Sequence, residues 1–262
     1  MKAIDQFRAK PGLKLRDKDA RAEGKPDADA LAKALEEISD LQEMLYAEHK
    51  RKVLIVLQGT DTSGKDGTVR HLFSNINPMG LRATGFRAPT DIEAAHDFLW
   101  RIHREVPKAG EIGVFNRSHY EDVLVTRVLG MITQAECKRR YAQIRDFERM
   151  LAESGTTIVK FFLHISKDEQ CERLQARVDD PHKHWKFDPE DLKQRELWKD
   201  YQKAYEDAIA ATDAGHAPWY VIPADSKRYR NEAVARVLLE TLRGMRLDWP
   251  PPDKRLLKLK VR

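Results

Sequence analysis

Cysteine is scarce in this chain of 262 residues, where Cys137 and Cys171 are the two examples. They lie too far apart in sequence for the paired spacing of a zinc site or a redox-active dithiol. Proteins stabilised by disulfides use more cysteine than this, so each thiol is expected to be an ordinary packed side chain. A reducing compartment, the cytoplasm, is therefore the expected location.

Long apolar runs are also missing. No stretch approaches the roughly 20 apolar residues that a membrane-spanning helix needs. Residues 1–15 lack the apolar centre of a secretory signal peptide. We therefore expect neither a membrane protein nor an exported one.

Charge of one sign is not in large excess, because 47 lysines and arginines face 42 acidic residues for a formal net charge of +5. This surplus suits an anionic partner but is too small to indicate nucleic acid by itself, and none is expected. Residues 250–262 carry five basic side chains against one acid. This tail either contacts a polyanion or is a flexible or packed end, and we favour the second reading.

The most informative segment reads VLIVLQGTDTSGKDGT over residues 53–68. An apolar strand leads into a glycine-bounded turn and a lysine opens the next helix, which is the context of a phosphate-binding loop. Such a loop points backbone N–H groups at an anion, and the N-terminal end of the helix attracts the same anion. The predicted phosphate-binding residues are Gly59, Thr62, Ser63, Gly64, Lys65, Gly67 and Thr68. The alternative is a glycine-rich turn that holds no ligand.

Two carboxylates distinguish this loop from the usual form. Asp66 stands where a Ser or Thr hydroxyl normally holds Mg²⁺, and Asp61 lies inside the loop. Carboxylates beside a bound phosphate would repel it unless a divalent cation lay between them. The sequence therefore predicts a loop that binds phosphate largely through Mg²⁺, with Mn²⁺ as the alternative ion.

Strands alternate with helices along the chain, which predicts an α/β protein with a parallel sheet and helices on both faces. The predicted strands cover residues 52–57, 83–86, 112–115, 156–165 and 219–222. The predicted helices cover residues 29–50, 65–74, 91–104, 120–129, 134–153, 168–178, 190–211 and 231–243. We divide the chain into an N-terminal arm (1–28), one domain (29–249) with a lid at about 173–212, and the basic tail (250–262).

A second polar group follows the predicted strand at 112–115 and comprises Asn116, Arg117, Glu121 and Asp122. Ligands bind outside the carboxyl ends of the strands in such sheets, so this group should lie beside the phosphate loop. Arg117 could neutralise charge on a transferring phosphoryl group. Asp122 is the candidate for a third metal-facing carboxylate, with Asp61 and Asp66. The alternative is a plain helix start, in which Ser118 or Asn116 is the cap and Glu121 completes a capping box, and both can hold together.

A third group is basic. Arg173 and Arg177 lie four residues apart and share one face of a predicted helix, just before a loop that contains Lys183 and Lys186. Phosphoryl transfer depends on cations placed over the phosphate oxygens, and a basic segment that closes over the substrate would supply them. The alternative is a solvated charged loop.

These segments together resemble the polyphosphate kinase 2 family. The matching residues are GTDTSGKDG at 59–67, FNRSHYED at 115–122, Asp180-Pro181 with Trp185-Lys186, APWY at 217–220 and PAD at 223–225. The likeness runs from about residue 29 to residue 243. The phosphate loop with its aspartates, followed by FNRSHYED, is far more specific than the loop alone.

The resemblance implies a P-loop kinase fold similar to thymidylate kinase, with a helical lid, in a homo-oligomer that is a dimer or a tetramer. It implies Mg²⁺-dependent, reversible phosphoryl transfer between inorganic polyphosphate and the nucleotides AMP, ADP and ATP, with guanine nucleotides as further substrates. Asp61 and Asp122 would hold the metal, with Asp66 close by. The cations on polyphosphate or on the moving phosphoryl group would be Lys65, Arg117, Arg177 and Lys183.

Further residues complete this hypothesis. Asn116, Arg127 and Arg173 are included among the phosphate- or nucleotide-binding candidates. In the subgroup that mainly phosphorylates diphosphates, an asparagine stands at the position of Glu121. Glu121 therefore indicates the class III subgroup, which accepts both mono- and diphosphates.

Two other functions compete with this one. The first is an ATP-dependent nucleoside monophosphate kinase on the same fold. The feature against it is Asp66, which occupies the position of the usual hydroxyl residue. The second is a non-catalytic protein that binds polyanions, which would gain nothing from carboxylates in its binding loop.

Overall fold

Five strands form one sheet in the computed structural model, which describes residues 1–255 and 259–260. The strands are β1 Lys52–Gln58, β2 Leu81–Gly85, β3 Ile112–Asn116, β4 Thr156–His164 and β5 Trp219–Pro223. They lie in the order β2-β3-β1-β4-β5, and every neighbouring pair is parallel. The parallel sheet expected from the sequence is confirmed. Residues 256–258 and 261–262 of the predicted basic tail lie outside the described residues.

Helices cover both faces of this sheet. In the described residues they are α1 Ala3–Gln6, α2 Ala28–Glu48, α3 Lys65–Leu72, α4 Asp91–Ala94, α5 Trp100–His103, α6 Glu121–Val128, α7 Gln134–Glu153, α8 Lys167–Val178, α9 Glu190–Glu196, α10 Trp198–Thr212 and α11 Lys227–Gly244. Short 3-10 turns occur at Asp17–Ala20, Pro78–Gly80 and Pro181–Lys186. Within this described part, no helix combines the length and apolar character required to cross a membrane.

The central strand β1 shows how the layers pack. Successive side chains of a strand point to opposite faces, so a strand covered on both faces is apolar throughout. Val53, Ile55 and Leu57 lie in one buried cluster with α2, α3 and α11. Leu54 and Val56 lie in a second buried cluster with α6, α7 and α10. The sheet is therefore sandwiched between two helical layers, each with its own core.

The N-terminal segment is bound to the free edge of the sheet. The backbone N–H of Val221 donates to the carbonyl of Phe7 (2.8 Å), and the N–H of Ala9 donates to the carbonyl of Trp219 (2.9 Å). Arg8 and Tyr220 form the antiparallel bridge between them. Since an open strand edge can pair with another chain, this segment protects β5.

Two helices that the sequence predicts as continuous are each interrupted, so those predictions are wrong. The predicted helix at 91–104 is α4 and α5, and between them the Asp97 carboxylate accepts from the N–H of Leu99 (2.9 Å), which offers the backbone a turn in place of the helix. The predicted helix at 190–211 is α9 and α10, with a break at Leu197. There the Arg195 guanidinium binds the carbonyl of Lys167 (2.6 Å) and fixes α9 against α8.

The order of the strands locates the site. From β1 the chain passes first to the edge strand β2, returns to β3 beside β1, and then crosses to the other side of β1 through β4 and β5. Ligands of open parallel sheets bind at such a change of direction, outside the carboxyl ends of the strands. The segment that leaves β1 at this edge is the predicted phosphate loop at 59–68.

Candidate active site

The loop after β1 has the backbone geometry of a phosphate-binding loop. A Cβ atom at Gly59 would lie 2.6 Å from Ser63 Oγ and 2.7 Å from the carbonyl of Leu163, so only glycine fits there. Gly64 has φ +96°, and a Cβ at that position would collide with the Arg230 guanidinium. The loop then enters α3, whose first residue is Lys65. The helix N-terminus therefore faces the same space as the loop N–H groups.

Lys65 is folded back onto this loop. Its Nζ donates to the carbonyls of Gly59 (2.6 Å) and Thr60 (3.2 Å), and Ser63 Oγ lies 3.5 Å away. Burial lowers the pKa of Lys65 to about 8, and the positive charge of Arg117 acts in the same direction. The ammonium group therefore lies inside the loop and donates to the carbonyls of Gly59 and Thr60, which bound phosphate oxygens would replace as acceptors.

Residues at the carboxyl end of β3 meet the loop carboxylates, as the sequence predicts. Arg117 Nη2 donates to Asp61 Oδ1 at 2.7 Å, and Asn116 Nδ2 donates to Asp66 Oδ1 at 2.5 Å. Arg117 has φ +63°, an uncommon backbone conformation for a residue with a side chain. Strained backbone of this kind is often found at functional sites. Both loop carboxylates are therefore paired within the site.

Glu121 approaches Arg117 from the start of α6. Its Oε2 lies 3.6 Å from Arg117 Nη1, and burial raises the pKa of the Glu121 carboxyl. Trp198, Tyr201 and Tyr205 of α10 line the same small cavity beneath the loop. Arg117 therefore stands between two carboxylates, one from the phosphate loop and one from α6.

A cleft of about 820 Å³ opens above the loop. The lining contributed by the loop and β3 is Asp61, Thr62, Gly64, Lys65, Asp66, Gly67, Asn116 and Arg117. The end of β2 and the segment after it contribute Gly85, Phe86, Arg87 and Ala88. The end of α8, the segment after it and the start of α9 contribute Arg177, Trp185, Lys186, Asp188 and Asp191. The cleft is large enough for a nucleotide, since small-molecule sites span about 300–1,000 Å³.

The wall formed by the end of α8, the following segment and the start of α9 carries both signs of charge into the cleft. Arg177 Nη1 donates to the carbonyl of Lys186 (2.9 Å) and lies 3.6 Å from Asp191 Oδ2. Burial, together with the nearby charge of Asp61, raises the pKa of Asp191 to about 6. The exposed Trp185 indole lies under the Lys186 ammonium, 4.8 Å from the ring centre. This wall therefore combines cations with an aromatic surface.

Eight predicted site residues do not line this cleft, and four of these are charged side chains that are paired outside it. The Asp122 carboxylate lies beside Arg101 (3.5 Å) and Arg140 (4.0 Å) and lines a different cavity, so the structure does not bring it to Asp61 and Asp66. Arg127 is paired with Asp207 at 2.7 Å on the far side of α6.

The other two are Lys183 and Arg173. The exposed ammonium of Lys183 is paired locally with Asp180 at 2.7 Å. Arg173 is buried and donates to the carbonyls of Thr62 (2.9 Å) and Ala224 (2.7 Å). It supports the phosphate loop from behind and does not face the cleft.

Two small polar residues, Ser63 and Thr68, lie buried inside the phosphate loop and the start of α3. Both are fully buried, and Thr68 Oγ1 donates to the carbonyl of Gly64 at 3.1 Å. Arg230 of α11, which the sequence does not single out, donates to the carbonyl of Ser63 at 3.3 Å. These contacts hold the loop open around its N–H groups.

Several cleft residues are not singled out by the sequence patterns, including Arg87, Asp188 and Asp191. Arg87 follows β2 at the same edge of the sheet, so the rule that locates Arg117 could have located it too. The aspartates carried no such signal, because Asp188 lies in a charged loop and Asp191 at the start of the helix after it, and neither directly follows a strand.

The donor set suits a magnesium ion shared with a substrate. No group of three or more His, Cys, Asp or Glu side chains that could hold a metal occurs among the described residues. Mg²⁺ is usually held by one or two carboxylates together with substrate phosphates and water. Asp61 and Asp66 at the cleft meet that need without further protein ligands.

Comparison with known proteins identifies the family of this site. The family model described as "Polyphosphate kinase 2 (PPK2)" matches residues 21–249. The chain belongs to the polyphosphate kinase 2 family. A relative from Meiothermus ruber, named AMP/ADP-polyphosphate phosphotransferase, is 55% identical over 86% of this chain and 84% of its own. One from Rhodopseudomonas palustris, named ADP-polyphosphate phosphotransferase, is 44% identical over 87% of this chain and 84% of its own.

A solved structure supports the same conclusion. The crystal structure of polyphosphate kinase 2 from Arthrobacter aurescens TC1 superimposes with a TM-score of 0.92 at 45% identity. The match covers 98% of this chain and 96% of that one. The α/β P-loop kinase fold, expected from the resemblance of the loop and of FNRSHYED to this family, is confirmed.

Proposed function

We propose that this chain transfers phosphoryl groups reversibly from inorganic polyphosphate to nucleoside mono- and diphosphates, forming ADP from AMP and ATP from ADP. The observation that carries the proposal is the cleft in which Lys65, Arg117 and two loop carboxylates face Arg177 and Lys186. A polyphosphate donor offers a row of negative charge and no base to recognise. Arginines and lysines along a groove are sufficient to bind such a donor.

The chemistry requires positioning and charge more than covalent catalysis. A terminal oxygen of the nucleotide attacks the end phosphorus of polyphosphate, and the bond to the next bridging oxygen breaks, leaving a chain one phosphate shorter. The attacking oxygen is already anionic near neutral pH, so the step needs no histidine base. Reversal of the same step regenerates the longer chain.

The residues of the cleft have distinct roles in this step. The loop N–H groups and Lys65 bind phosphate oxygens in place of the carbonyls of Gly59 and Thr60. Arg117 exchanges its contact with Asp61 for the equatorial oxygens of the moving group, where a guanidinium stabilises developing charge. Arg177 and Lys186 bind the chain from the opposite wall and help to exclude water.

Asp61 and Asp66 are the residues that would hold Mg²⁺, or Mn²⁺ in its place. When bound, the ion would supply positive charge that neutralises the phosphates. Arg117 and Asn116 donate hydrogen bonds to these carboxylates in the structure, so a metal ion would compete with those two contacts. Residues 173–212 are proposed to act as a lid, because α8, the 3-10 turn and α9 carry one wall of the cleft.

The proposal includes finer assignments. Glu121 supports membership of class III, with activity on both AMP and ADP, and guanine nucleotides are further acceptors. We propose a homo-oligomer, a dimer or a tetramer, whose mass light scattering would measure. The cytoplasm is the proposed location, consistent with free thiols at Cys137 and Cys171.

Product analysis by chromatography tests the function. Purified protein is incubated with Mg²⁺ and polyphosphate, with AMP, ADP, GMP and GDP in separate reactions. ADP and ATP from AMP support class III, whereas ATP from ADP alone keeps the kinase and removes the subgroup assignment. Product only when ATP is the donor would favour a monophosphate kinase. Salt-sensitive binding of polyphosphate without turnover would leave a polyanion-binding role.

A further inference from the structure

Arg87 is a cation of the cleft that lacks an assigned role. It follows β2, its side chain is exposed, and it lines the cleft together with Arg177. The neighbouring arginines before and after it are paired, Arg82 with Glu105 and Arg101 with Asp122. Among the described residues, Arg87 takes part in no ion pair, so its charge is available to a ligand.

The backbone of Arg87 is fixed although its side chain is exposed. The buried Arg101 donates from Nη1 to the Arg87 carbonyl at 2.7 Å, and its guanidinium carbon lies 5.7 Å from the centre of the Phe86 ring. Phe86 in turn donates its N–H to the Asn116 carbonyl (3.1 Å) and packs edge-on against Phe115. The segment that carries Arg87 is thus attached to β3, the strand that directly precedes Arg117.

Asp122 completes this support from behind the cleft. Its Oδ2 lies 3.5 Å from Arg101 Nη2, and its backbone carbonyl accepts from Arg140 Nη1 at 2.9 Å. The Asp122 side chain is only 13% exposed, so it balances the charge of a buried guanidinium. Removing one partner of such a pair leaves the other charge uncompensated. Asp122 therefore restrains Arg101, and Arg101 restrains Arg87.

We propose that Arg87 binds a phosphate group of a substrate, and that Asp122 acts through Arg101 as its positioning residue. This proposal rests on the function proposed above and deepens it. A guanidinium forms two parallel hydrogen bonds to phosphate oxygens, which favours arginine over lysine where geometry matters. The phosphate belongs either to the nucleotide or to polyphosphate, and separate kinetic measurements distinguish these sources.

The first experiment measures KM for AMP and for polyphosphate separately in Arg87→Ala and Arg87→Lys. Arg87→Ala should raise one of the two KM values by about tenfold or more, as expected for the loss of a charged hydrogen bond. Arg87→Lys should recover part of the loss. Arg104→Ala is the matched control, since Arg104 is an exposed arginine outside the cleft that lies over Trp100. Unchanged KM values in Arg87→Ala, or an equal effect of Arg104→Ala, would overturn the role of Arg87.

A double-mutant cycle tests the positioning role of Asp122. Asp122→Asn should raise the same KM as Arg87→Ala, by a smaller factor, and should leave the Mg²⁺ concentration for half-maximal rate unchanged. If Asp122 acts through Arg87, the double variant Arg87→Ala/Asp122→Asn should have the KM of Arg87→Ala alone. The proposal would be contradicted if the double variant raised KM by the product of the two single factors, or if Asp122→Asn needed more Mg²⁺. The second result would restore Asp122 as a metal ligand.

Direct binding separates this proposal from the reaction itself. Calorimetry with AMP and with tripolyphosphate, in the presence of Mg²⁺, compares the wild-type chain with Arg87→Ala. Weaker binding of either ligand to the variant supports the phosphate site. If the wild-type chain also shows no turnover, the proposed function fails but the phosphate site stands. Equal binding of both ligands would refute the site, whatever the wild-type activity.

Discussion

Lys65 is a charged group held in a place that disfavours charge. Burial lowers its pKa from 10.5 to about 8. Only the ammonium form attracts phosphate, and the pH dependence of kcat/KM reports groups of the free enzyme. We therefore expect kcat/KM to fall as the pH rises through about 8. Because of the same shift, the free energy of unfolding should rise as the pH rises from about 8 to 10.5. In that range the folded chain has lost the Lys65 proton while the unfolded chain still holds it.

Two variants identify Lys65 as the source of the alkaline fall. Lys65→Arg stays charged across this range, so its lower but measurable kcat/KM should lack the fall near pH 8. Lys65→Ala should lose about a hundredfold or more in kcat while its circular dichroism stays unchanged. An alkaline fall that persists unaltered in Lys65→Arg would assign the titration to another group.

The buried pair of Lys160 and Glu148 gives a second prediction. Lys160 Nζ donates to Glu148 Oε2 (2.5 Å), to Tyr120 Oη (2.9 Å) and to the carbonyl of Thr212 (2.9 Å), and both charged side chains are almost wholly buried. Breaking a buried pair leaves one uncompensated charge. We expect Lys160→Met to reduce the free energy of unfolding by about 3–5 kcal/mol in urea titrations.

The double variant Lys160→Met/Glu148→Gln is the matched control. It removes both charges, and the amide oxygen introduced by Glu148→Gln would still accept the hydrogen bond from Tyr120, so most of the lost stability should return. A double variant as unstable as Lys160→Met would show that packing, and not charge balance, determines the loss. The cluster joins the FNRSHYED segment to α7, β4 and the end of α10, which explains why a costly ion pair is tolerated there.

The sequence predicts which strand ends meet but not every side-chain direction. Asp61, Lys65 and Arg117 follow β1 and β3 closely, and the structure brings all three together. Glu121 and Asp122 are consecutive on α6, where each residue turns the side chain by roughly 100°. Glu121 therefore faces Arg117 while Asp122 faces Arg101. The direction in which each side chain leaves the helix cannot be predicted from a continuous run of polar residues.

Whole helices show the same mixture of success and failure. The predicted boundaries of α7 agree with the structure because Thr133 caps its start and an amphipathic pattern continues for five turns. The predicted helix at 91–104 fails because Asp97 caps a new turn, and the one at 190–211 fails at Leu197. Each break is produced by a local or tertiary contact that overrides helical periodicity.

The N-terminal segment is expected to contribute to stability despite its polar composition. Phe7 is 6% exposed, and its ring lies edge-on to Tyr229 of α11, with the centroids 6.3 Å apart. Its carbonyl also accepts from Val221 in β5. We expect Phe7→Ala to lower the free energy of unfolding by about 3 kcal/mol in urea titrations, the usual cost of removing a buried phenyl ring.

Lys10→Ala is the control for this measurement, because Lys10 lies in the same segment with an exposed side chain and its replacement should cost almost nothing. If the two variants were equally stable, the segment would be only loosely attached to the edge of β5. Increased aggregation of Phe7→Ala would agree with exposure of that edge.

Anions are attracted both by the net charge of the whole molecule and by the cations of the cleft, and these two attractions differ in their dependence on salt. A net charge of +5 gives every anion a weak, salt-sensitive attraction, whereas the cations of the cleft act on the substrate at contact distance. Polyphosphate presents many charges to Arg117, Arg177 and Lys186 together, while AMP presents one phosphate. KM for polyphosphate should therefore rise with ionic strength more steeply than KM for AMP.

Two lysine variants with the same net charge test this distinction. Lys186→Ala removes a cation of the cleft, and Lys138→Ala removes one that lines a separate cavity on α7. Since both variants carry one positive charge fewer, attraction by the whole molecule changes equally in each. We expect only Lys186→Ala to raise KM for polyphosphate, about fivefold at low salt for the loss of a partly exposed charge contact. It should also flatten the dependence of that KM on potassium chloride between low and physiological ionic strength. Equal shifts in the two variants would mean that polyphosphate is attracted by overall charge and that this wall of the cleft does not hold it.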